Sequence, residues 1–183
     1  MIFLTGFMGS GKSTIGPILA NTLGFQFVDL DKLIEERAGQ RIVEIFETKG
    51  EKHFRELERQ LLAEVASASD FVISLGGGTI ANEENVRLIK EHGALVYLKL
   101  SPEEVLRRVS HRNDRPMLKD EQGRVLPPDE LKRRVLSLLQ HREQYYNQAD
   151  IIVSADLLSV GKTVDEIVKH LRPFLEHPLS ERR

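Results

Sequence analysis

A short apolar run, Ile2-Phe3-Leu4, leads into Gly6-Phe7-Met8-Gly9-Ser10-Gly11-Lys12-Ser13, which matches G-x-x-x-x-G-K-[ST] at every fixed position. Residues 14–23, which follow, carry a helical pattern. Strand, glycine loop and helix in that order make a phosphate-binding loop. Backbone amides must turn inward around phosphate oxygens, and only glycine tolerates the close approach. In a chain of this length the pattern arises by chance in roughly 0.6% of cases at ordinary residue frequencies. Lys12 is placed to neutralise β- and γ-phosphate charge, and the Ser13 hydroxyl to hold Mg²⁺. Gly9, Ser10, Gly11, Lys12, Ser13 and Thr14 are therefore the candidate ATP-binding residues of the loop. Guanine specificity is not indicated: no Asn-Lys-x-Asp occurs, and Asp120-Glu121-Gln122-Gly123 follows no strand.

Around this loop the sequence alternates. Branched apolar runs at 2–4, 25–28, 71–75, 94–98 and 151–153 read as buried strands, separated by amphipathic stretches of helical length. Such alternation predicts a three-layer α/β sandwich with a parallel sheet. The 183 residues suit one domain, spanning 1–176. Residues 31–66 hold helical pattern only, more than one crossover needs, and are expected to form a lobe over one sheet edge. Residues 110–128 are polar and carry Gly123, Pro116, Pro127 and Pro128, the composition of a long lid-like loop. The polar tail 177–183 is expected to fray.

Composition removes other classes. Twenty-six basic side chains against 28 acidic ones leave a net charge of −2, without the basic footprint of nucleic-acid binding. The absence of cysteine excludes disulfides, thiol nucleophiles and thiolate metal sites. The six histidines show no zinc-ligand spacing backed by a third ligand. No apolar run approaches the roughly 18 residues of a membrane span, and the first run is too short for a signal-peptide core. A cytoplasmic protein is expected, monomeric by default because no long exposed apolar stripe is evident.

Two aspartates close the second strand, in Phe27-Val28-Asp29-Leu30-Asp31. Side chains two apart on a strand share a face, about 6.8 Å apart, so both carboxylates should project at the end where open α/β sheets bind ligands. One could reach a Mg²⁺ shell while the other meets an acceptor hydroxyl. Alternatively, Asp31 merely caps a helix over 32–38. The third strand runs into Gly76-Gly77-Gly78, whose backbone could pass close to a ligand or form a plain turn. Ser74 stands where many phosphate-loop enzymes carry a metal-shell aspartate, which leaves Asp29 as the candidate.

Three charges fall on apolar faces. In a helix over 51–66, Phe54, Leu57, Leu61 and Val65 form the stripe, and Glu58 lies inside it. Arg55, one turn back, can partner and be oriented by Glu58. In a helix over 129–147, Arg142 falls near the centre of the stripe set by Leu131, Val135 and Leu138. A buried guanidinium needs an anion, so Arg55 and Arg142 either fork a substrate carboxylate or make structural ion pairs. Arg108, Arg112 and Arg115 belong with the polar loop, as phosphate contacts that form on closure or as solvated charge.

With Asp29-Leu30-Asp31, Ile45-Phe46, Gly50-Glu51, Phe54-Arg55-Glu56-Leu57-Glu58, Leu75-Gly76-Gly77-Gly78, Arg115-Pro116-Met117-Leu118, and Arg142 with Tyr145 and Tyr146, the chain closely resembles the shikimate kinase family over nearly its whole length. The resemblance implies a nucleoside-monophosphate-kinase-like fold with five parallel strands, a substrate-binding lobe and a lid. It implies Mg²⁺- and ATP-dependent phosphorylation of the shikimate 3-hydroxyl. By the same likeness Asp31 binds the acceptor hydroxyls and acts as base, and Asp29 is a water-mediated Mg²⁺ ligand. Arg55, Arg142 and the Gly77-Gly78 backbone hold shikimate beside Phe46 and Phe54, and Glu58 steadies Arg55. Arg115 is the lid arginine and Arg108 packs on adenine. The sequence departs from the family after the last strand, in Ser154-Ala155-Asp156, and in a longer lid. Gluconate kinases and nucleoside monophosphate kinases are the nearest rivals, although paired arginines disfavour a nucleotide acceptor. A catalytically dead nucleotide-binding module is the reading from another class.

Overall fold

Each apolar run becomes a parallel strand in the computed structural model, which describes residues 1–109, 126–156 and 158–176. The strands are β1 Ile2–Thr5, β2 Gln26–Asp29, β3 Phe71–Ser74, β4 Ala94–Lys99 and β5 Ile151–Ser154, within a residue or two of the expected spans. They lie in the order β2-β3-β1-β4-β5. Ile2 of β1 sits between Val72 of β3 and Ala94 of β4. The strand that feeds the phosphate loop is therefore central.

Helices cover both faces: α1 Lys12–Leu23, α2 Leu30–Ala38, α3 Ile42–Ala66, α4 Glu83–His92, α5 Pro102–Val109, α6 Pro128–Tyr146 and α7 Val160–Glu176. Ile2 and Leu4 pack with Ile15 and Leu19 of α1 and Ile167 of α7, while Phe3 points oppositely to Ile34, Leu61 and Val135. Burial on both faces is why the strands read as continuous apolar runs instead of alternating ones. Among the described residues no helix is long and apolar enough to cross a membrane.

The end of β2 differs from expectation, whereas the start of the helix over 51–66 does not. The second strand stops at Asp29, not at Asp31, because the Asp29 carboxylate accepts the backbone N–H groups of Asp31 (3.1 Å) and Lys32 (3.3 Å) and starts α2. Asp29 is the N-cap, and Asp31 lies in the first helical turn. The alternation expected to align the two carboxylates therefore does not operate. In α3 the backbone breaks at Gly50 (φ 80°, ψ 170°), so the helix that carries Arg55 and Glu58 starts afresh at Glu51. The expected lid, apart from Leu126, Pro127 and Pro128, lies outside the described residues, as do Arg112, Arg115 and the tail 177–183.

Candidate active site

The phosphate loop owes its shape to glycine. Gly9 (φ 83°) and Gly11 (φ 95°) occupy the left-handed region that L side chains rarely adopt. Gly11 is also the residue from which α1 springs, so the positive end of that helix faces the loop. Lys12 Nζ donates to the Gly6 carbonyl across the loop at 2.8 Å. The Ser10 hydroxyl is buried and finds no partner among the described residues.

Beside the loop lies a cavity of about 300 Å³, with Gly9, Gly11 and Thr14 on one wall and Arg108, Ala155 and Val160 on another. Arg108 is not part of the lid loop. It lies in the last turn of α5, because that helix continues through Val109. Its guanidinium donates to the carbonyls of Gly9 and Ala155, each at 3.0 Å, and ties the phosphate loop to the segment after β5. Glu104, one turn earlier, accepts from both Arg107 and Arg108, which holds its carboxyl down at about 2. The segment after β5, atypical in sequence, still lines the cavity through Ala155, Leu158 and Val160. Asp156 braces it by accepting the Ser101 N–H at 2.8 Å.

On the other side of the loop, the glycine triplet gathers the acceptor-side candidates. None of the three glycines occupies the left-handed region, so space is what they supply. A methyl on Gly76 would meet Asp31 Oδ1 at 2.7 Å, one on Gly77 would meet Arg142 Nη1 at 2.9 Å, and one on Gly78 would meet Arg55 Nη2 at 2.9 Å. One carboxylate and two guanidiniums thus converge on one bare turn at the C-terminal edge of the sheet.

Glu58 is buried at 1% exposure and bonds Arg55 Nη1 at 2.9 Å, as its place in the apolar stripe predicts. Arg55 also contacts Glu51 and lies 5.1 Å over the Phe54 ring, which packs on Phe46 at 4.7 Å. Arg142 is half-buried, 5.9 Å over the Phe7 ring, on a stripe formed by Leu131, Val135, Leu139 and Tyr146. Leu138, expected on the stripe, packs partly buried against the same core, and Leu139 beside it is buried more deeply.

Three contributors were not singled out from sequence. The Thr79 hydroxyl donates to Glu58 Oε1 at 2.7 Å, and buried Asn85 donates to the Thr79 carbonyl at 2.9 Å. Tyr146, named only as part of a motif, donates its hydroxyl to the Gly77 carbonyl at 2.9 Å and hydrogen-bonds Arg142. Burial pushes the Tyr146 phenol up, partly opposed by Arg142. No periodicity marks a lone hydroxyl that bonds across 21 residues, so sequence reading had no signal for Thr79.

A family model for shikimate kinase matches residues 8–172. The chain belongs to the shikimate kinase family. A shikimate kinase from Chlorobaculum tepidum is 47% identical over all of this chain and 97% of its own length. The crystal structure of shikimate kinase from Bacteroides thetaiotaomicron superposes with a TM-score of 0.82 at 39% identity, covering 96% of this chain and 98% of that one. Shikimate kinase from Acinetobacter baumannii, solved in complex with shikimate, gives 0.81 at 32% identity, covering 92% and 90%. A gluconokinase from Sinorhizobium meliloti shares the fold alone, at a TM-score of 0.58 and 18% identity. The chain is thus an ATP-dependent kinase of the shikimate family, with the sheet and helices of that family's fold.

Proposed function

We propose that this protein transfers the γ-phosphoryl group of ATP to the 3-hydroxyl of shikimate, giving shikimate 3-phosphate and ADP, and that Asp31, Arg55 and Arg142 receive the acceptor. The observation that carries this reading is the convergence of those three side chains on the Gly76-Gly77-Gly78 turn. A hydroxylated carboxylic acid needs both a hydroxyl acceptor and forked cations, and arginine presents its donors in the planar fork that a carboxylate matches.

Asp31 accepts the proton of the 3-hydroxyl as that oxygen attacks the γ-phosphorus, while the bond from phosphorus to the bridging oxygen breaks and ADP leaves. Lys12 offsets charge on the phosphates, a role that the family likeness gives to Arg115 as well. Arg108 lines the nucleotide side, where Leu158 and Val160 offer apolar surface to a base. Ser13 in the first turn of α1 and Asp29 at the end of β2 are hard oxygen donors of the kind Mg²⁺ accepts while keeping waters; Ser13, and Asp29 through water, would hold the ion, which would neutralise phosphate charge.

Coupled ADP release measured with shikimate, gluconate, AMP and no acceptor tests the assignment. Shikimate alone should stimulate turnover strongly. Equal release without an acceptor sinks it, and stimulation by gluconate or AMP reassigns the substrate.

A further inference from the structure

The carboxylate of Glu58 is the least solvated charge beside the acceptor site. At 1% exposure it is withdrawn from bulk solvent, and among the described residues each oxygen has one hydrogen-bond partner: Oε2 takes Arg55 Nη1 at 2.9 Å, Oε1 the Thr79 hydroxyl at 2.7 Å. A carboxylate held at one oxygen only can rotate about its Cγ–Cδ bond; held at both, it has one orientation. The second hold comes from outside α3. Thr79 itself is fully buried, in the 3-10 turn Thr79–Ala81 that follows the glycine triplet, and its carbonyl is pinned by the Asn85 side chain of α4.

Without the hydroxyl, Glu58 Oε1 would be left unsatisfied in a site closed to solvent, a loss large for an ionised acceptor. The carboxylate would then be free to turn, and the partner it keeps is the guanidinium it should be steadying. Arg55 is exposed to such a pull because its other partner, Glu51, holds it only at 3.3 Å.

We infer that Thr79 is a positioning residue for the acceptor: its hydroxyl fixes the Glu58 carboxylate so that the Arg55 fork is presented beside Gly78 to the acid group of the substrate. The inference rests on the reading of Arg55 given above. It extends the acceptor site to a side chain that touches no substrate.

Thr79→Val keeps the shape of the side chain and removes the donor. The KM for shikimate should rise about tenfold, the scale of one hydrogen bond to a charged group, while kcat and the KM for ATP stay within about twofold. Thr79→Ser restores the hydroxyl and should return the KM for shikimate to within about twofold of the parent. In an Arg55→Lys background, Thr79→Val should add almost nothing, because both changes disable one arrangement.

A KM for shikimate unmoved by Thr79→Val but raised by Arg55→Lys would overturn the inference and leave the acceptor site standing. An additive double variant, or a parallel rise in both KM values, would also overturn it by showing general loosening. A parent enzyme without shikimate-dependent ADP release removes both readings. Should Thr79→Val lose the native circular dichroism, Thr79→Ala, which removes the hydroxyl without adding a methyl, is judged by the same criteria.

Discussion

Asp31, Arg55 and Arg142 sit within reach of one glycine turn, yet the carboxylate and the guanidiniums fail differently when changed. Asp31→Asn keeps the shape and loses the base, so kcat should fall by about 10²–10⁴ while the KM for ATP changes little. An unchanged kcat would remove Asp31 from the chemistry. Arg142→Lys keeps the charge and loses the fork, so the KM for shikimate should rise by more than the KM for ATP, in steady-state titrations of each substrate. The reverse order would place Arg142 on the nucleotide side. Both substitutions retain the hydrophobic contacts of their helices, which separates chemistry from packing.

At the scale of elements, Asp29 holds the junction of β2 and α2. Asp29→Ala removes the cap and should cost about 0.5–2 kcal/mol in urea unfolding, whereas Asp29→Asn should keep that stability because asparagine caps as well as aspartate. If Asp29→Asn is stable but needs more Mg²⁺ for turnover, the charge serves the metal and the shape serves the helix. Equal stability of the Ala variant would contradict the cap. On α5, Glu104 is held at about 2 by its arginine partners, far below the ordinary 4.5 of the unfolded chain. Between those values the unfolded state binds more protons, so stability rises with pH. The contribution of Glu104 is complete above about 4.5 and lost as pH falls through about 2. The difference in urea midpoint between the parent and Glu104→Gln should therefore shrink across that window, and a difference independent of pH would refute the pairing.

Over the whole molecule, the nucleotide cavity draws on the phosphate loop, the end of α5 and the segment after β5, so its occupation should stabilise the entire chain. ATP at a hundred times its Kd should add about 2.7 kcal/mol, a rise in Tm of about 5–10 °C for a chain of this size. A rise below about one degree would show that the cavity does not hold the nucleotide. The strands were legible because burial on both faces writes an unbroken apolar run, and Glu58 was legible because a charge inside a helical stripe breaks a period. The end of β2 was not legible: whether Asp29 continues a strand or caps a helix is decided by two hydrogen bonds that no pattern records. Arg108 was assigned to the wrong element because the polar loop and the basic end of α5 run together in sequence, and Thr79 left no trace for want of any repeat. The same sheet order carries a consequence for inheritance. Among the described residues β2 pairs with β3 alone, at the sheet edge, so α2 and α3 follow an edge strand. The remaining strands, β3-β1-β4-β5, bond to one another without it, although Ile34 and Leu61 reach the core beside Phe3. A descendant could exchange that segment, and with it the acceptor it greets, while passing on the phosphate loop intact. Any transplanted segment with a buried carboxylate like Glu58 would still have to find the Thr79 hydroxyl waiting on the resident side.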